Sequence, residues 1–339
     1  MRTSVKQKLA TIWIVSPFYH DGAAFLAHYP IIINSIRADV LWRFYRIRFL
    51  LVDDSQEESV AIASIKSLPG VSIFSPPHCL GQQAALTAGM RILATFCDEK
   101  DFVVSMDADG EDQATDVVKM LDHLKQTARD MSSIVLAQSL DRDSSGERPA
   151  VAVMRWIYQQ FFYLLTGRRF STRNFAAMRG WTVKNLFVHP SFDLAYATSI
   201  TRLVSKPIFM TCDRGRRLEG RSRFSWKKRL ALAMQLLMPF CERITLRLQV
   251  FKIFTFLLAV GGVLLTGSAG SWFVAVGVGG ILLALVFNMI FGALTESMRA
   301  NLGPKIELAI LYALDLSREP RALDGGAEVL PRSQTVSVF

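Results

Sequence analysis

The sequence predicts an α/β domain built on a mostly parallel sheet, followed by interface helices and two transmembrane helices. Three observations predict it. Short apolar runs alternate with helical patterns through the first ~130 residues. The runs end in polar, often acidic, turns. A later stretch, from Ile253 to Thr295, holds no Asp, Glu, Lys, Arg or His.

The first element is the apolar run 10–15. Ile47-Arg48-Phe49-Leu50-Leu51-Val52, Val71-Ser72-Ile73-Phe74 and Phe102-Val103-Val104-Ser105-Met106 follow, each reading as a buried strand. Helical patterns fall between and after them, at about 22–38, 57–67, 82–96 and 114–128. Strand alternating with helix implies parallel strands joined by right-handed crossovers. Ligands bind such sheets at the carboxyl ends of the strands. Those ends carry Asp53-Asp54-Ser55 and Asp107-Ala108-Asp109-Gly110-Glu111-Asp112. Two carboxylates at i and i+2 in a turn can face one cation. Their hard oxygens suit Mg²⁺ or Mn²⁺, which bridge to substrate phosphates.

Further along, residues 151–166 and 226–240 form apolar-rich amphipathic patterns, the second with Lys227, Lys228 and Arg229. Such helices can lie in a membrane interface. The 43 uncharged residues of 253–295 would run about 65 Å as helix, twice the ~30 Å bilayer core. Gly267-Ser268-Ala269-Gly270-Ser271 supplies a turn in the middle. The expected spans are therefore about 250–266 and 272–294. Arg243, Arg247 and Lys252 precede the pair, and Arg299 and Lys305 follow it. The positive-inside rule then puts both ends in the cytoplasm of a multi-pass protein of the inner (plasma) membrane. The apolar run after Lys6 and Lys8 is too short for a secretory signal.

The organisation expected is a cytoplasmic α/β domain over 1–225, a juxtamembrane helix over 226–249, a hairpin over 250–294 and a cytoplasmic tail over 295–339. The formal charge is +10. It is concentrated between Arg214 and Arg229, where eight of sixteen residues are Lys or Arg. Beside a membrane such a run favours lipid headgroups or a phosphate ligand over nucleic acid. Cys79, Cys97, Cys212 and Cys241 show no metal-binding spacing and read as reduced thiols. The five histidines read as structural or surface residues.

The motif string resembles the family-2, GT-A-fold glycosyltransferases, and within them the polyprenyl-phosphate subgroup related to dolichol-phosphate mannose synthase. Pro17-Phe18-Tyr19-His20-Asp21 stands where that family has a P-x-Y-N-E-like turn. Val52-Asp53-Asp54-Ser55 is similar to its V-D-D-G-S. Gly81-Gln82-Gln83-Ala84-Ala85-Leu86-Thr87-Ala88-Gly89 is similar to its G-K-x-A-A-L-x-A-G, and Asp107-Ala108-Asp109-Gly110-Glu111-Asp112 to its D-A-D-L-Q-D. Arg217-Leu218-Glu219-Gly220-Arg221-Ser222-Arg223-Phe224 is similar to its R-x-x-G-x-S-K-Y.

The resemblance implies a metal-dependent, inverting hexosyltransferase of the GT-A type. It would move a sugar from a nucleotide-sugar donor, a uridine nucleotide being favoured, to a polyprenyl (undecaprenyl) phosphate for cell-envelope glycan modification. Pro17, Tyr19, Asp21, Asp53, Asp54, Gly81, Gln82, Asp107, Ala108 and Asp109 would then bind the donor. Asp107, Asp109 and Glu111 would hold Mg²⁺ or Mn²⁺. Asn174, Arg217, Ser222 and Arg223 would bind the acceptor phosphate, with Asp109 and Arg217 catalytic. Relatives suggest a homo-oligomer, such as a tetramer. His20-Asp21 replaces the usual Asn-Glu, and Arg173-Asn174-Phe175 replaces Gly-Asp-Phe, so an aspartate sometimes assigned as a base is an amide here. A different lipid acceptor, or a catalytically inactive nucleotide-sugar-binding membrane protein, are the competing readings.

Overall fold

A computed structural model describes residues 10–55, 60–127, 130, 132–138, 149–169, 173–212, 215, 226–266 and 271–318. They form two compact units. One comprises residues 1–144, 170–225 and 302–339, and the other 145–169 and 226–301.

The first unit is a seven-stranded mixed sheet flanked by helices. Strands β1 (Thr11–Phe18), β2 (Arg46–Asp53), β3 (Val71–Phe74) and β4 (Phe102–Ser105) pair in parallel, in the order β3-β2-β1-β4. Helices α1 (Gly22–Ala38), α2 (Val60–Lys66) and α3 (Gln82–Phe96) make the crossovers. Helix α4 (Ala114–Gln126) follows β4. Strands β5 (Ile134–Gln138), β6 (Ala176–Arg179) and β7 (Ile208–Thr211) complete the sheet as β4-β6-β5-β7. β6 runs antiparallel to both β4 and β5, whereas β5 and β7 are parallel. All eight positions of β1 are buried. This explains the consecutive apolar residues Ile12–Val15: a central parallel strand is covered on both faces. The strand order reverses direction between β1 and β4, and it is at the carboxyl ends beside such a switch point that sheets of this kind bind ligands.

Helix α3 sits close against this sheet because Gly89 lets it. A Cβ there would come within 2.8 Å of Val52 Cγ2 and 3.0 Å of Val15 Cγ1. The spacing from Gly81 to Gly89 thus places one glycine at the turn and one at the tightest helix–sheet contact. Helices α6 (Gly180–Leu186) and α7 (Tyr196–Leu203) finish the described part of this sheet unit before β7.

The second unit is helical: α5 (Pro149–Thr166), α8 (Trp226–Leu237), α9 (Cys241–Thr266) and α10 (Ser271–Arg318), the last crossing back into the first unit at Leu302. Phe162 of α5 packs edge-on against Phe240 at 5.5 Å. Tyr158 Oη donates to the carbonyl of Ala233. Arg247 donates to the carbonyls of Tyr163 and Leu164 at the end of α5. The outer face of α5 instead exposes Met154, Trp156, Ile157, Phe161 and Leu164.

Two helical stretches, Leu230–Leu265 and Trp272–Leu311, are long and apolar enough to cross a membrane, and both are mostly exposed. That is consistent with membrane association: an apolar helix left uncovered by protein needs lipid around it. α9 and α10 approach closely where side chains are small. A Cβ on Gly277 would lie 2.6 Å from that of Ala259. Thr245 Oγ1 donates to Asn288 Oδ1 at 3.0 Å. α10 continues past residue 294, where a tail is expected, as helix to Arg318. Ile306, Ala309 and Ala313 are buried along one face of that extension, the i, i+3, i+7 pattern of a packed helix.

Candidate active site

The sequence-predicted residues that the structure describes gather at the carboxyl ends of β1, β2 and β4. Pro17 and Phe18 end β1. Tyr19 and His20 turn the chain toward α1, their rings edge-to-face at 4.6 Å. His20 sits at φ 56°, a left-handed conformation uncommon outside glycine. The carbonyl of Asp21 accepts from Phe25 N in the first turn of α1.

The first acidic turn, after β2, is saturated. Asp53 Oδ1 accepts from Ser55 N and from Ser55 Oγ, and its Oδ2 from Ser75 Oγ. Asp54 Oδ1 accepts from Leu80 N at 2.6 Å, and its Oδ2 from Gly81 N at 2.7 Å and Cys79 Sγ at 3.2 Å. Asp53 and Asp54 are only 1% and 4% exposed. Burial raises the Asp54 pKa, and the donated hydrogen bonds pull it back. Asp54 therefore ties the segment before α3 to the end of β2. Gly81 makes the corner at φ 79°, which a Cβ would strain.

The second acidic turn, after β4, is differently organised. Asp107 Oδ1 accepts from Gln82 Nε2 at 3.0 Å and from Asn174 Nδ2 at 3.4 Å, both neutral amides. Asp107 N donates to Asp112 Oδ2, and Glu111 N to Asp109 Oδ1, each at 3.0 Å. Arg173 pairs with Asp112 Oδ1 at 2.5 Å and also donates to the carbonyl of Cys212. Ala108, Asp109 and Asp112 are buried, Asp107 and Glu111 half-buried. Burial, then the charges of Asp112 and Asp109, push the Asp107 carboxyl up to about 7. Three carboxylates in one turn favour either a proton or a cation among them. Among the described residues no three His, Cys, Asp or Glu side chains are grouped so as to hold a metal ion, and Asp107, Asp109 and Glu111 do not form such a set.

Two further features escape a sequence reading. His28, on α1, is buried and near enough for Asp109's charge to raise its pKa, although burial lowers it more. Gln83 reads as an ordinary position of α3, yet its amide bonds Asn174 Oδ1 at 2.8 Å. Those contacts span 91 residues, beyond the reach of any local pattern. Arg217, Ser222 and Arg223 lie outside the described residues. Gly215, the nearest described residue before them, donates its N–H to the carbonyl of Glu111 at 2.8 Å.

A search of curated proteins finds no match. Among solved structures, one that the chain is similar to is a crystal structure of 4-diphosphocytidyl-2C-methyl-D-erythritol synthase. Identity is 14%, the match covers 68% of this chain and 99% of that one, and the TM-score is 0.39, a likeness that carries no functional argument. The model of glycosyl transferase family 2 matches residues 14–187, from inside β1 to the end of α6. That match takes in both acidic turns, the Gly81 corner and Asn174: the chain belongs to glycosyl transferase family 2.

Proposed function

We propose that the protein transfers a sugar from a nucleoside diphosphate sugar to a polyprenyl phosphate at the cytoplasmic face of a membrane, with inversion at the anomeric carbon. The observation that carries this reading is the amide of Asn174 beside Asp107. A sugar hydroxyl acceptor needs a base to take its proton. An amide cannot serve as one. A phosphate monoester carries about −1.5 to −2 charge at pH 7 and needs none. The uncovered apolar helices supply the surface on which a lipid-linked phosphate would be presented.

In this reading one phosphate oxygen forms a bond to the anomeric carbon as the bond from that carbon to the donor diphosphate breaks, and the nucleoside diphosphate leaves. Asp107 and Asp109 fit Mg²⁺ or Mn²⁺ as two oxygen ligands whose mutual repulsion a cation relieves, diphosphate oxygens completing the shell. Glu111 stands beside them. Bound there, the ion would neutralise charge developing on the departing diphosphate. Asp53, the loop 79–81 held by Asp54, and the turn at Tyr19 and Asp21 would cradle the nucleoside. Arg217, Ser222 and Arg223 would bind the acceptor phosphate. Support comes from Gly215, close before them in sequence, whose N–H bonds the carbonyl of Glu111 in the second acidic turn.

The test offers purified protein two lipids that differ only in the phosphate, undecaprenyl phosphate and undecaprenol, with a panel of nucleotide sugars and Mn²⁺. Product from the phosphate alone is expected in the mass spectrum. Product from undecaprenol would assign the acceptor to another lipid class.

A further inference from the structure

We infer that Gln83 is a positioning residue that fixes Asn174 with its NH₂ group toward Asp107 and the reacting end of the donor site. This rests on the donor reading of the 107–112 turn and not on the identity of the acceptor.

The inference follows from the direction of a buried hydrogen-bond chain. Gln83 Oε1 accepts from Tyr196 N at 2.9 Å and Ala197 N at 3.3 Å. Both belong to the first turn of α7, whose N–H groups have no partner within the helix. A backbone N–H can only donate, so the atom of Gln83 that faces α7 must be its oxygen. Oxygen and nitrogen of an amide are otherwise interchangeable in shape, and the network decides between them. With its oxygen so fixed, Gln83 presents Nε2 to the other side, where it donates to Asn174 Oδ1 at 2.8 Å. Asn174 must accept there, which turns its Nδ2 toward Asp107 Oδ1 at 3.4 Å.

The rest of the surroundings hold both amides in place. Ser105 Oγ donates to the carbonyl of Asn174 at 2.6 Å and accepts from Tyr196 Oη at 2.8 Å. Gln83 and Asn174 are 7% and 5% exposed, so water has little part in the chain. The polarity is thereby set from a helix end through two amides to the acidic turn. A second N–H of Asn174 remains for an anion at the donor or acceptor phosphate. An aspartate at 174 would satisfy Gln83 equally well but would place a fourth carboxylate beside Asp107, Asp109 and Asp112. Gln83 and Asn174 are matched.

A double-mutant cycle on nucleotide affinity tests this. Purified Gln83→Met, Asn174→Ala and the double variant are titrated calorimetrically with UDP, GDP and CDP in Mn²⁺, after thermal denaturation has checked each fold. One hydrogen bond's worth predicts about a 3–10-fold weakening for each single variant. If Gln83 acts through Asn174, the double variant is no weaker than Asn174→Ala alone. Additive losses would overturn the assignment, because Gln83 would then act through α7 or the fold. Gln83→Glu covers the case in which Met disturbs packing. It still accepts from α7 but must take a hydrogen bond from Asn174, which reverses that side chain. Weakened nucleotide binding that disappears in the Asn174→Ala background is expected, and wild-type affinity in Gln83→Glu would refute the fixed polarity. The cycle needs no lipid, so its failure and a failure of the acceptor reading are separate results.

Discussion

The two acidic turns of the sheet look alike in sequence, each following a strand and each opening with aspartate, yet they are built for opposite tasks. Asp53 and Asp54 meet a surplus of donors. Three backbone N–H groups, a thiol and two serine hydroxyls close on them from residues 75–81 and from Ser55. Asp107, Asp109 and Asp112 crowd one another: Arg173 pairs with Asp112, and among the described residues Asp107 accepts from two neutral amides. One turn spends its charge on holding a loop. The other keeps it concentrated where a cation and a diphosphate could use it. The difference teaches that a carboxylate's role is set by which donors the fold brings to it, and not by its place after a strand.

The largest effect expected is at the second turn. Asp109→Ala should fold and enter membranes as wild type does, yet lose transfer by at least about 10²–10³-fold, the scale of losing a charge-stabilising group at a reacting centre. Turnover on undecaprenyl phosphate, normalised to folded protein, checks this. Retained turnover would end the distinction between the turns from the catalytic side.

The first turn should break differently. Asp54→Ala strands the N–H of buried Leu80 and releases that of exposed Gly81, and the buried donor left unpaired costs about 1–3 kcal/mol of stability. Its melting temperature should fall, and its donor KM should rise more than its kcat falls. The reverse pattern, intact stability with lost kcat, would make Asp54 a catalytic group.

A smaller effect is in pH. Folding raises the Asp107 pKa from the usual carboxylate range to about 7. A carboxyl raised by folding contributes stability below its unfolded pKa of about 4 and loses that contribution as pH climbs through the folded value. The metal-free protein should therefore lose stability from this group between about pH 4 and pH 7. Mn²⁺ requires the ionised carboxylate, so the melting shift it confers should grow across the same window. Asp107→Asn should flatten both trends. Equal Mn²⁺ shifts at about pH 5 and pH 8 in wild type would contradict the assignment.

At position 174 the smallest loss is expected. Asn174→Ala should keep transfer within about tenfold of wild type, the worth of one hydrogen bond and not of a general base. Arg217→Ala should lose most activity through weaker acceptor phosphate binding. Measuring both in detergent, without anionic lipid, separates phosphate recognition from attraction to a charged surface. Collapse of Asn174→Ala would restore a direct chemical role at that position.

Much of this arrangement is legible in the chain. Four strands, the helices after them and the long apolar pair follow from apolar-rich runs, because parallel strands covered on both faces and helices left uncovered by protein are both predominantly apolar. β6 is not legible. Ala176-Ala177-Met178-Arg179 has little strand propensity, and the ladders to β4 and β5 make it a strand. Asp107 and Asp109 are readable because a local turn places them. The roles of Gln83, Arg173 and His28 are not, since their partners lie tens of residues away and only the closed sheet brings them together. Asp54 is the instructive middle case: its position is visible in the sequence, but the loop it holds is not.

The most direct test of the account is transfer itself under metal control. Purified protein, a nucleotide-sugar panel and undecaprenyl phosphate are incubated with Mn²⁺ or with excess chelator, and the lipid fraction is read by mass spectrometry. The account predicts a sugar linked through the lipid phosphate in the Mn²⁺ sample and its loss on chelation. The same product at the same rate in chelator would contradict the cation role of Asp107 and Asp109.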